Sequence, residues 1–315
     1  MTALVQRQKL KAALREFFAD LDYQEVETPL LVPMPGTEVH LGYFKTQWVD
    51  HSLKSHRLYL RSSPELHLKK LLSQGMERIF EFALCFRNEG EYSSWHRPEF
   101  TMLEWYQKGV SFAGFMQQTE DLIRHCQQSL NSSLPLPQSF HKVTVAEAFA
   151  NWVGFELVDN DPELAKKAID KGCQSVRDDD DFETAFFKIL LDHVEPELTK
   201  LGAVFFYDYP ASQAALAEVE VGVAKRFELY LNGVELCNAF LELSDWQSNL
   251  SRLQQANQRR QQLNKDVPEI DEEFIESMKS PIGLCCGNAL GFDRLLALLM
   301  GFENMASCFV FDPYM

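Results

Sequence analysis

The sequence predicts a mostly antiparallel α+β domain, in which strands pair across long insertions and helices pack around them. Short apolar runs typical of strands recur along the chain, and longer helical patterns interrupt them. The chain has 315 residues, of which 46% are hydrophobic, so it can bury a substantial core. Because no repeat, low-complexity tract or flexible linker divides the chain, we expect a single domain over residues 1–315.

The amino-terminal elements follow from apolar spacing and from the prolines. Residues 5–21 place five apolar side chains on one helical face: Leu10, Leu14, Phe17, Phe18 and Leu21. Prolines keep residues 25–33 extended, and Pro64 opens a short helix over 64–74. Apolar runs predict strands over 78–87 and 98–107, joined by a polar loop.

The carboxyl-terminal half continues with both types of element. Helices are predicted over 112–130, 144–153, 246–264, 270–279 and 292–300, and strands over 203–208, 225–231, 234–242 and 283–290. Thr144 and Glu147 have the spacing of a capping box at a helix start. The acidic run Asp178–Asp181 lacks the glycine turn of a metal loop, so a solvated loop or helix start is the simpler interpretation.

Composition argues against several classes of function. The formal net charge of −16 disfavours a large nucleic-acid footprint, because phosphate contacts require a basic face. The seven cysteines show no zinc-site spacing and are typical of reduced, buried thiols in the cytosol. No segment approaches ~18 consecutive apolar residues, and residues 1–11 do not resemble a signal peptide. We therefore expect a cytoplasmic protein without a membrane span.

Three segments combine charged residues with strand-like surroundings. They are residues 86–89 at a strand end, residues 97–106, and residues 291–294, where a glycine leads into a helix. Alternation along the second segment places Phe100, Met102 and Glu104 on one face. Any one of these charges alone is more simply explained as an exposed residue or a salt bridge. Their combination is more informative.

Together these segments resemble motifs 2 and 3 of the class II aminoacyl-tRNA synthetases, and residues 25–29 resemble motif 1. Residues 60–66 and 235–242 resemble the lysine-activating branch more specifically. The narrowest resemblance is to the elongation factor P–(R)-β-lysine ligase family, truncated lysyl-tRNA synthetase paralogues, and it includes the loop over 210–217. It extends from about residue 5 to the carboxyl terminus. It implies a class II catalytic domain with no anticodon-binding domain, because the motif 1 helix begins within the first dozen residues.

The resemblance implies an ATP-dependent, AMP-forming ligase that uses Mg²⁺. In amino-acid activation a carboxylate attacks the α-phosphate in line, so the protein must position the reactants and neutralise charge. Arg87 would bridge the carboxylate and the α-phosphate, and Arg294 would contact the γ-phosphate and cover the adenine. These two arginines are the implied catalytic residues. The implied ATP-binding residues are Arg87, Asn88, Glu89, Arg97, Phe100, Glu235, Leu236, Gly291 and Arg294, and the implied metal ligands are Glu235 and Glu242.

The same resemblance implies a pocket for a lysine-like amino acid. The implied substrate-binding residues are Ser63, Glu65, Glu104, Tyr106, Asn238, Phe240, Glu242 and Ala289. Glu242 and Tyr106 would meet the distal ammonium group, since a buried cation requires a carboxylate partner. Standard lysyl-tRNA synthetases carry glycine where this chain has Ala289, so the pocket shape favours (R)-β-lysine.

The chain departs from the family in the motif 2 loop. Arg97 stands where the family has an asparagine that touches ATP, so it either takes over a phosphate contact or points away. The loop is about one residue longer and contains Tyr92 and Trp95. These departures bear on how ATP and the acceptor are recognised, and they leave the implied reaction class unchanged.

The leading interpretation is activation of (R)-β-lysine and its transfer to a lysine of elongation factor P. One alternative is a stand-alone enzyme that activates α-lysine for tRNA or another amine. Another is a non-catalytic regulatory paralogue, which the intact ATP-binding set disfavours. Motif 1 implies a homodimer around Pro29, and a stable complex with tRNA is not expected.

Overall fold

A computed structural model describes residues 2–90 and 93–311 of the chain. Its contacts form two compact units, one over residues 1–134 and 242–315 and the other over residues 135–241. Tyr92 of the predicted longer loop lies outside the described residues. The assignment of residues 1–315 to one catalytic domain stays a prediction.

Helices and strands are numbered here in chain order. The strands are β1 (Gln24–Glu25), β2 (Leu31–Val32), β3 (Lys45–Val49), β4 (Ser55–Leu60), β5 (Arg78–Phe86), β6 (Glu99–Lys108), β7 (His141–Thr144), β8 (Ala203–Pro210), β9 (Val219–Glu220), β10 (Val223–Leu231), β11 (Val234–Leu241) and β12 (Cys285–Gly291). The α-helices are α1 (Thr2–Asp20), α2 (Glu65–Ser73), α3 (Phe112–Ser129), α4 (Val145–Ala148), α5 (Leu164–Asp170), α6 (Phe182–Ile189), α7 (Glu195–Leu201), α8 (Trp246–Gln262), α9 (Glu272–Ser277) and α10 (Phe292–Met300).

The first unit is built on a sheet with the strand order β1-β5-β6-β12. β5 pairs antiparallel with β6 and β6 with β12, whereas the short β1 runs parallel to β5. A smaller antiparallel sheet, β2-β4-β3, includes a hairpin over residues 45–60 that the sequence patterns did not predict. The predicted α+β class with mostly antiparallel strands is confirmed.

Helix α1 lies on this sheet through the face that its apolar spacing predicts. Leu10, Leu14 and Phe18 have no exposed surface. The Phe18 ring stacks on Phe80 of β5, with 4.4 Å between the ring centroids. This packing anchors the amino-terminal helix to the strand that leads into the motif 2 segment.

The second unit has its own sheet and helical layer. β8 pairs parallel with β7 and antiparallel with β10, and β10 also pairs antiparallel with β9 and β11. Its core contains stacked aromatic rings, with the centroids of Phe149 and Phe186 5.6 Å apart. Most of the covering helices, α5 to α7, lie in a region for which the sequence patterns predicted no element.

Several predicted boundaries change in the structure. The predicted helix over 144–153 begins with the expected capping box of Thr144 and Glu147 but turns into a π-helix over Phe149–Val153. The acidic run does contain a helix start, because the Asp181 side chain accepts a hydrogen bond from the Thr184 amide at 2.9 Å and caps α6. Among residues 2–90 and 93–311, no helix is long and apolar enough to cross a membrane.

A buried ion pair joins the motif 1 segment to the sheet. The Arg61 guanidinium donates to Glu81 Oε1 at 2.7 Å and to the backbone carbonyls of Thr28 and Leu84, each at 3.0 Å. The Thr28 hydroxyl in turn donates to Glu81 Oε2 at 2.7 Å. Arg61 and Glu81 are both almost completely buried. The position of the residues before Pro29 therefore depends on one shared charge network.

We predict that Arg61→Met lowers the free energy of unfolding by about 3 kcal/mol or more, because it leaves the Glu81 carboxylate buried without its cation. Urea denaturation followed by circular dichroism measures this change. Arg15→Met is the control, since Arg15 pairs with Glu25 at 2.7 Å on the exposed surface of α1 and should contribute less than about 1 kcal/mol. Equal losses in the two variants would contradict the structural role assigned to Arg61.

Candidate active site

One face of the first sheet carries several of the side chains that the sequence predicted as site residues. The pairing of β6 with its neighbours sets Glu104 opposite Glu81 and Ala289, and Tyr106 opposite Gly287. Phe100 and Met102 precede them on the same face, beside Ala83, Cys85 and Ala289. The predicted alternation of Phe100, Met102 and Glu104 is confirmed.

A cluster of carboxylates with one lysine lies at this face, and we call it the carboxylate cluster. It consists of Glu65, Lys69, Glu104, Tyr106 and Glu242. The Lys69 ammonium is 2.7 Å from Glu65 Oε1 and 2.6 Å from Glu242 Oε2, and the Tyr106 hydroxyl donates to Glu104 Oε1 at 2.7 Å. Glu104 Oε2 is buried and has no hydrogen-bond partner. The cluster therefore brings together four of the predicted substrate-binding residues.

Burial and like charge set the protonation of the cluster. Burial, reinforced by the neighbouring Glu65, raises the pKa of Glu104 well above its usual range. Burial also raises the pKa of Glu242, to about 7, although Lys69 opposes this rise. For Lys69, burial favours the neutral form, but the two carboxylates outweigh it and raise its pKa above the usual value. The free cluster thus holds a charged lysine together with two carboxyl groups, those of Glu104 and Glu242, that resist ionisation.

Lys69 and Gly287 are site residues that the sequence patterns did not single out. A Cβ on Gly287 would lie 2.2 Å from Glu242 Oε1 and 2.3 Å from Cε1 of the Tyr106 ring. Only a glycine leaves room for both side chains at this point of β12. The spacing of Glu65 and Lys69, four residues apart on α2, was the available sequence signal for Lys69.

Ser63 and Ala289 frame the cluster. The Ser63 hydroxyl accepts a hydrogen bond from the Glu65 amide at 3.2 Å, at the start of α2. Ala289 lies directly opposite Glu104 in the β6–β12 register, with its methyl group packed against Ala83, Cys85 and Met102. Ala289 thus adds its methyl group beside Glu104.

Arg87 lies at the end of β5 with its guanidinium over the Phe100 ring, 5.2 Å from the ring centroid. Its Nη2 also donates to Glu38 Oε1 at 3.3 Å, and the second Glu38 oxygen accepts from the Ser62 hydroxyl at 2.7 Å. Glu38 was not predicted as a site residue. The Glu38 carboxylate contacts Arg87, the residue that the resemblance predicts to bind the carboxylate of the substrate.

Arg294 is held near the motif 2 loop at the start of α10. Its Nε donates to the Trp95 carbonyl at 3.1 Å, and its Nη2 is 2.9 Å from His96 Nε2. The preceding residue, Asp293, is buried, accepts from the Thr101 amide at 2.7 Å and forms an ion pair with Arg7 of α1. The segments that resemble motifs 2 and 3 are therefore in contact within the first unit.

The other predicted nucleotide residues of the first unit lie around these arginines. Asn88 exchanges backbone hydrogen bonds with Gly42 at 2.9 and 3.0 Å, and Glu89 has a left-handed backbone with its carboxylate 3.2 Å from Lys265. The Arg97 guanidinium lies 4.3 Å from the centroid of the Phe309 ring. Gly291 is the residue before α10, where a Cβ would come within 3.2 Å of the Arg294 side chain.

The remaining predicted residues lie on β11 of the second unit: Glu235, Leu236, Asn238 and Phe240. The β10–β11 register shifts at Leu236, which has no opposite residue. This irregularity puts Glu235, opposite Tyr230, on the same face as Asn238, opposite Glu228. Asn238 Oδ1 is buried and has no hydrogen-bond partner.

Glu228 is a second carboxylate on this face that the sequence patterns did not identify. Its two oxygens accept from Arg226 at 2.5 Å and from the Tyr230 hydroxyl at 3.0 Å. Glu228 and Glu235 both contribute to raising the pKa of Tyr209 and Tyr230, after burial. Within the described residues there is no group of three or more acidic, histidine or cysteine side chains that could hold a metal ion.

Comparisons with known proteins identify relatives along almost the whole chain. Residues 1–313 match the family model of class II tRNA synthetases (D, K and N). The chain is 35% identical to an elongation factor P–(R)-β-lysine ligase of Hamiltonella defensa over 98% of its own length and 94% of that protein. The ligase of the same name from Proteus mirabilis is 33% identical over 99% and 95%, and that of Vibrio cholerae 35% identical over 97% and 93%.

We predict that Glu104→Gln stabilises the unliganded protein more strongly as the pH rises. The raised pKa means that folding takes up a proton at Glu104, so the wild-type stability falls with pH between the unfolded and the folded pKa, by up to about 1.4 kcal/mol per pH unit. The glutamine has no such dependence. Urea unfolding from about pH 5 to about pH 8 measures the difference.

Glu25→Gln is the control of opposite sign. The hydrogen bond from Arg15 lowers the pKa of Glu25, so its charge stabilises the fold above the unfolded pKa and its removal should cost stability there. A Glu104→Gln variant that follows the pattern of Glu25→Gln would refute the protonated state assigned to the cluster.

Proposed function

The chain belongs to the class II tRNA synthetase family (D, K and N), and from this premise we propose that it is an ATP-dependent ligase for a β-amino acid. It activates (R)-β-lysine as an aminoacyl-adenylate and transfers the aminoacyl group to a lysine side chain of elongation factor P. The observation that carries this proposal is the buried carboxylate cluster, which lies on the same sheet face as Phe100, the ring under Arg87. A pocket with these charges suits an amino acid that carries extra ammonium groups.

The first step joins the amino acid to the nucleotide. A carboxylate oxygen of the substrate bonds to the α-phosphorus of ATP, and the bond from that phosphorus to the pyrophosphate oxygen breaks. Arg87 stabilises the charge that develops, since its guanidinium can bridge a carboxylate and a phosphate. In the free protein Glu38 holds this guanidinium at 3.3 Å, so the incoming carboxylate replaces Glu38 as its partner.

The adenine is held between Arg294 and Phe100. Arg294 is fixed through Nε to the Trp95 carbonyl, and its guanidinium plane covers the adenine. Phe100 supplies the opposite aromatic surface, and Gly291 allows a close approach of the backbone. Asn88, Glu89 and Arg97 complete the nucleotide-binding set that we propose for this unit.

The second step consumes the adenylate. The neutral amine of the acceptor lysine attacks the adenylate carbonyl, a carbon–nitrogen bond forms, AMP leaves with the carbon–oxygen electron pair, and the nitrogen releases a proton. The relatives are named as ligases of elongation factor P, which supports this protein as the acceptor. The excess of 46 acidic over 30 basic residues accords with a protein acceptor and with the absence of stable tRNA binding.

The carboxylate cluster supports the choice of substrate. The ammonium groups of a diamino acid find carboxylates at Glu65, Glu104 and Glu242, with the Tyr106 hydroxyl beside them. Ala289 lies opposite Glu104, so its methyl group reduces the space next to this carboxylate. A single methyl group discriminates by only ~1–3 kcal/mol, and we propose that it favours the β-amino acid over α-lysine.

We propose Mg²⁺ as the metal that accompanies ATP. Glu235 supplies a hard carboxylate oxygen of the kind that this ion prefers, whereas both oxygens of Glu228 on the same sheet face already accept hydrogen bonds from Arg226 and Tyr230. When bound, the ion would neutralise phosphate charge. The assignment of Glu242 to the metal, and of Leu236, Asn238 and Phe240 to the ligands, stays a prediction. The buried state of all seven cysteines accords with a reducing, cytoplasmic location.

We predict ATP–pyrophosphate exchange that depends on the amino acid, with (R)-β-lysine preferred over α-lysine and no exchange when neither is present. The measurement is the transfer of labelled pyrophosphate into ATP. A strong preference for α-lysine would favour a stand-alone lysine-activating enzyme, and the absence of exchange with either substrate would favour a non-catalytic paralogue.

Arg294→Ala tests the nucleotide assignment within the same assay. It should abolish exchange without changing the circular dichroism spectrum, because the lost contacts are those to the motif 2 loop and to ATP. Arg15→Ala, on the exposed face of α1, should retain wild-type exchange. Retained activity in Arg294→Ala would refute its role.

We further propose that two copies associate through the segment that follows Pro29. Leu30 and Leu31 come directly after this proline and are 40% and 49% exposed. On the same face of the smaller sheet, Leu31 lies opposite Leu60. Exposed leucines on a sheet face are suited to a symmetric contact between two copies.

We predict a mass in light scattering of twice the 36.3 kDa of one chain. Leu31→Glu should convert the dimer to a monomer, because it places a charge within the proposed contact. Val221→Glu, in an exposed turn of the second unit, should leave the dimer intact. A monomeric wild-type protein would contradict this assignment.

A further inference from the structure

Lys69 is the one cation that touches two carboxylates within the carboxylate cluster. Its side chain has no exposed surface, and its ammonium lies 2.7 Å from Glu65 and 2.6 Å from Glu242. The next residue of the same helix, Lys70, also pairs with an acid, Asp271 at 2.7 Å, but outside the cluster. A fully buried ammonium is costly to desolvate, so its presence among site residues requires an explanation.

We propose that Lys69 is a resident counter-cation that sets the charge of the amino-acid pocket, so that the pocket matches a substrate with two ammonium groups. This inference rests on the proposed function and deepens it, because it assigns a specificity-determining role to a side chain that the reaction itself does not need. Lys69 positions the carboxylates and contributes no bond to the chemistry.

The charge count of the cluster supports the proposal. Glu65, Glu104 and Glu242 carry three negative charges when ionised, and Lys69 neutralises one of them. Two charges remain, which equals the number of ammonium groups on a diamino acid. The substrate carboxylate is balanced separately by Arg87. A substrate with one ammonium group would leave one of these carboxyl groups without a cation, so that group would have to stay protonated.

The geometry also shows where a substrate ammonium is still needed. Glu65 Oε1 and Glu242 Oε2 contact Lys69, and Glu104 Oε1 accepts from Tyr106, whereas Glu104 Oε2 is buried without a partner. A buried acceptor of this kind is costly to leave unsatisfied. An ammonium group placed at Glu104 Oε2 would satisfy it and would meet the carboxylate that Lys69 does not reach.

Lys69 is unsuited to act as a nucleophile or as an acceptor of the aminoacyl group. Its two carboxylate partners raise its pKa, which keeps the nitrogen protonated and without a free electron pair. The groups outside the cluster that interact electrostatically with its members include Glu81 of β5 and Cys285 and Cys286 of β12. Within the described residues, no cation other than Lys69 forms an ion pair with Glu65 or Glu242.

The test is the KM and kcat for (R)-β-lysine in pyrophosphate exchange with Lys69→Met at one fixed pH. Without the ammonium, Glu65 and Glu242 lose the cation that both contact, so the substrate-binding carboxylates are no longer held in place and the KM should rise at least about tenfold, with a smaller change in kcat. If α-lysine is the substrate that the wild-type protein exchanges, the same two constants are measured with α-lysine.

The double variant Lys69→Met with Glu65→Gln restores the charge count with two carboxylates. We expect the second substitution to bring the KM most of the way back to the wild-type value, whereas a purely structural lysine would make it additive or harmful. This variant also serves if Lys69→Met alone does not fold. Lys70→Met is the matched control and should keep the wild-type KM.

The outcomes separate this inference from the proposed function. The absence of ATP–pyrophosphate exchange in the wild-type protein would refute the proposed function. Exchange in the wild type, together with an unchanged KM in Lys69→Met or no recovery of the KM in the double variant, would overturn the role of Lys69 alone.

Discussion

Like charges buried together are the constraint on which the site of the first unit depends. Three glutamates and a tyrosine converge at one sheet face, and burial opposes the ionised forms of Glu104, Glu242 and Tyr106. Lys69 stabilises this arrangement, because it forms ion pairs with both Glu65 and Glu242. The geometry around it is equally restricted, since Gly287 leaves no room for a Cβ between Glu242 and Tyr106.

A second buried ion pair fixes the segment near motif 1. Arg61 and Glu81 are buried as a pair, and Thr28 is bonded to both. Glu81 also lies opposite Glu104 in the β5–β6 register, so its charge adds to the field at the carboxylate cluster. The pair therefore links the stability of the segment before Pro29 to the electrostatics of the site.

Much of the fold was accessible from the sequence because its signals are local. Apolar spacing identified α1 and the strands β5 and β6, and alternation along β6 gave the correct face for Glu104. The residues missed depend on long-range packing. Glu65 and Lys69 have the spacing of an ordinary surface pair on a helix, and only the fold shows that Lys69 is buried. Glu38 lies in a loop between short strands, and nothing local indicates that its carboxylate reaches Arg87.

The register shift at Leu236 could not be predicted from the alternation of residues along the strand. Strict alternation along β11 would place Glu235 and Asn238 on opposite faces, because they are three residues apart. The register shift adds one residue and brings both to the face that also carries Glu228. A bulge changes the chemistry of a strand without changing its composition, so the second carboxylate of this face could be recognised only once the pairing of β10 and β11 was known.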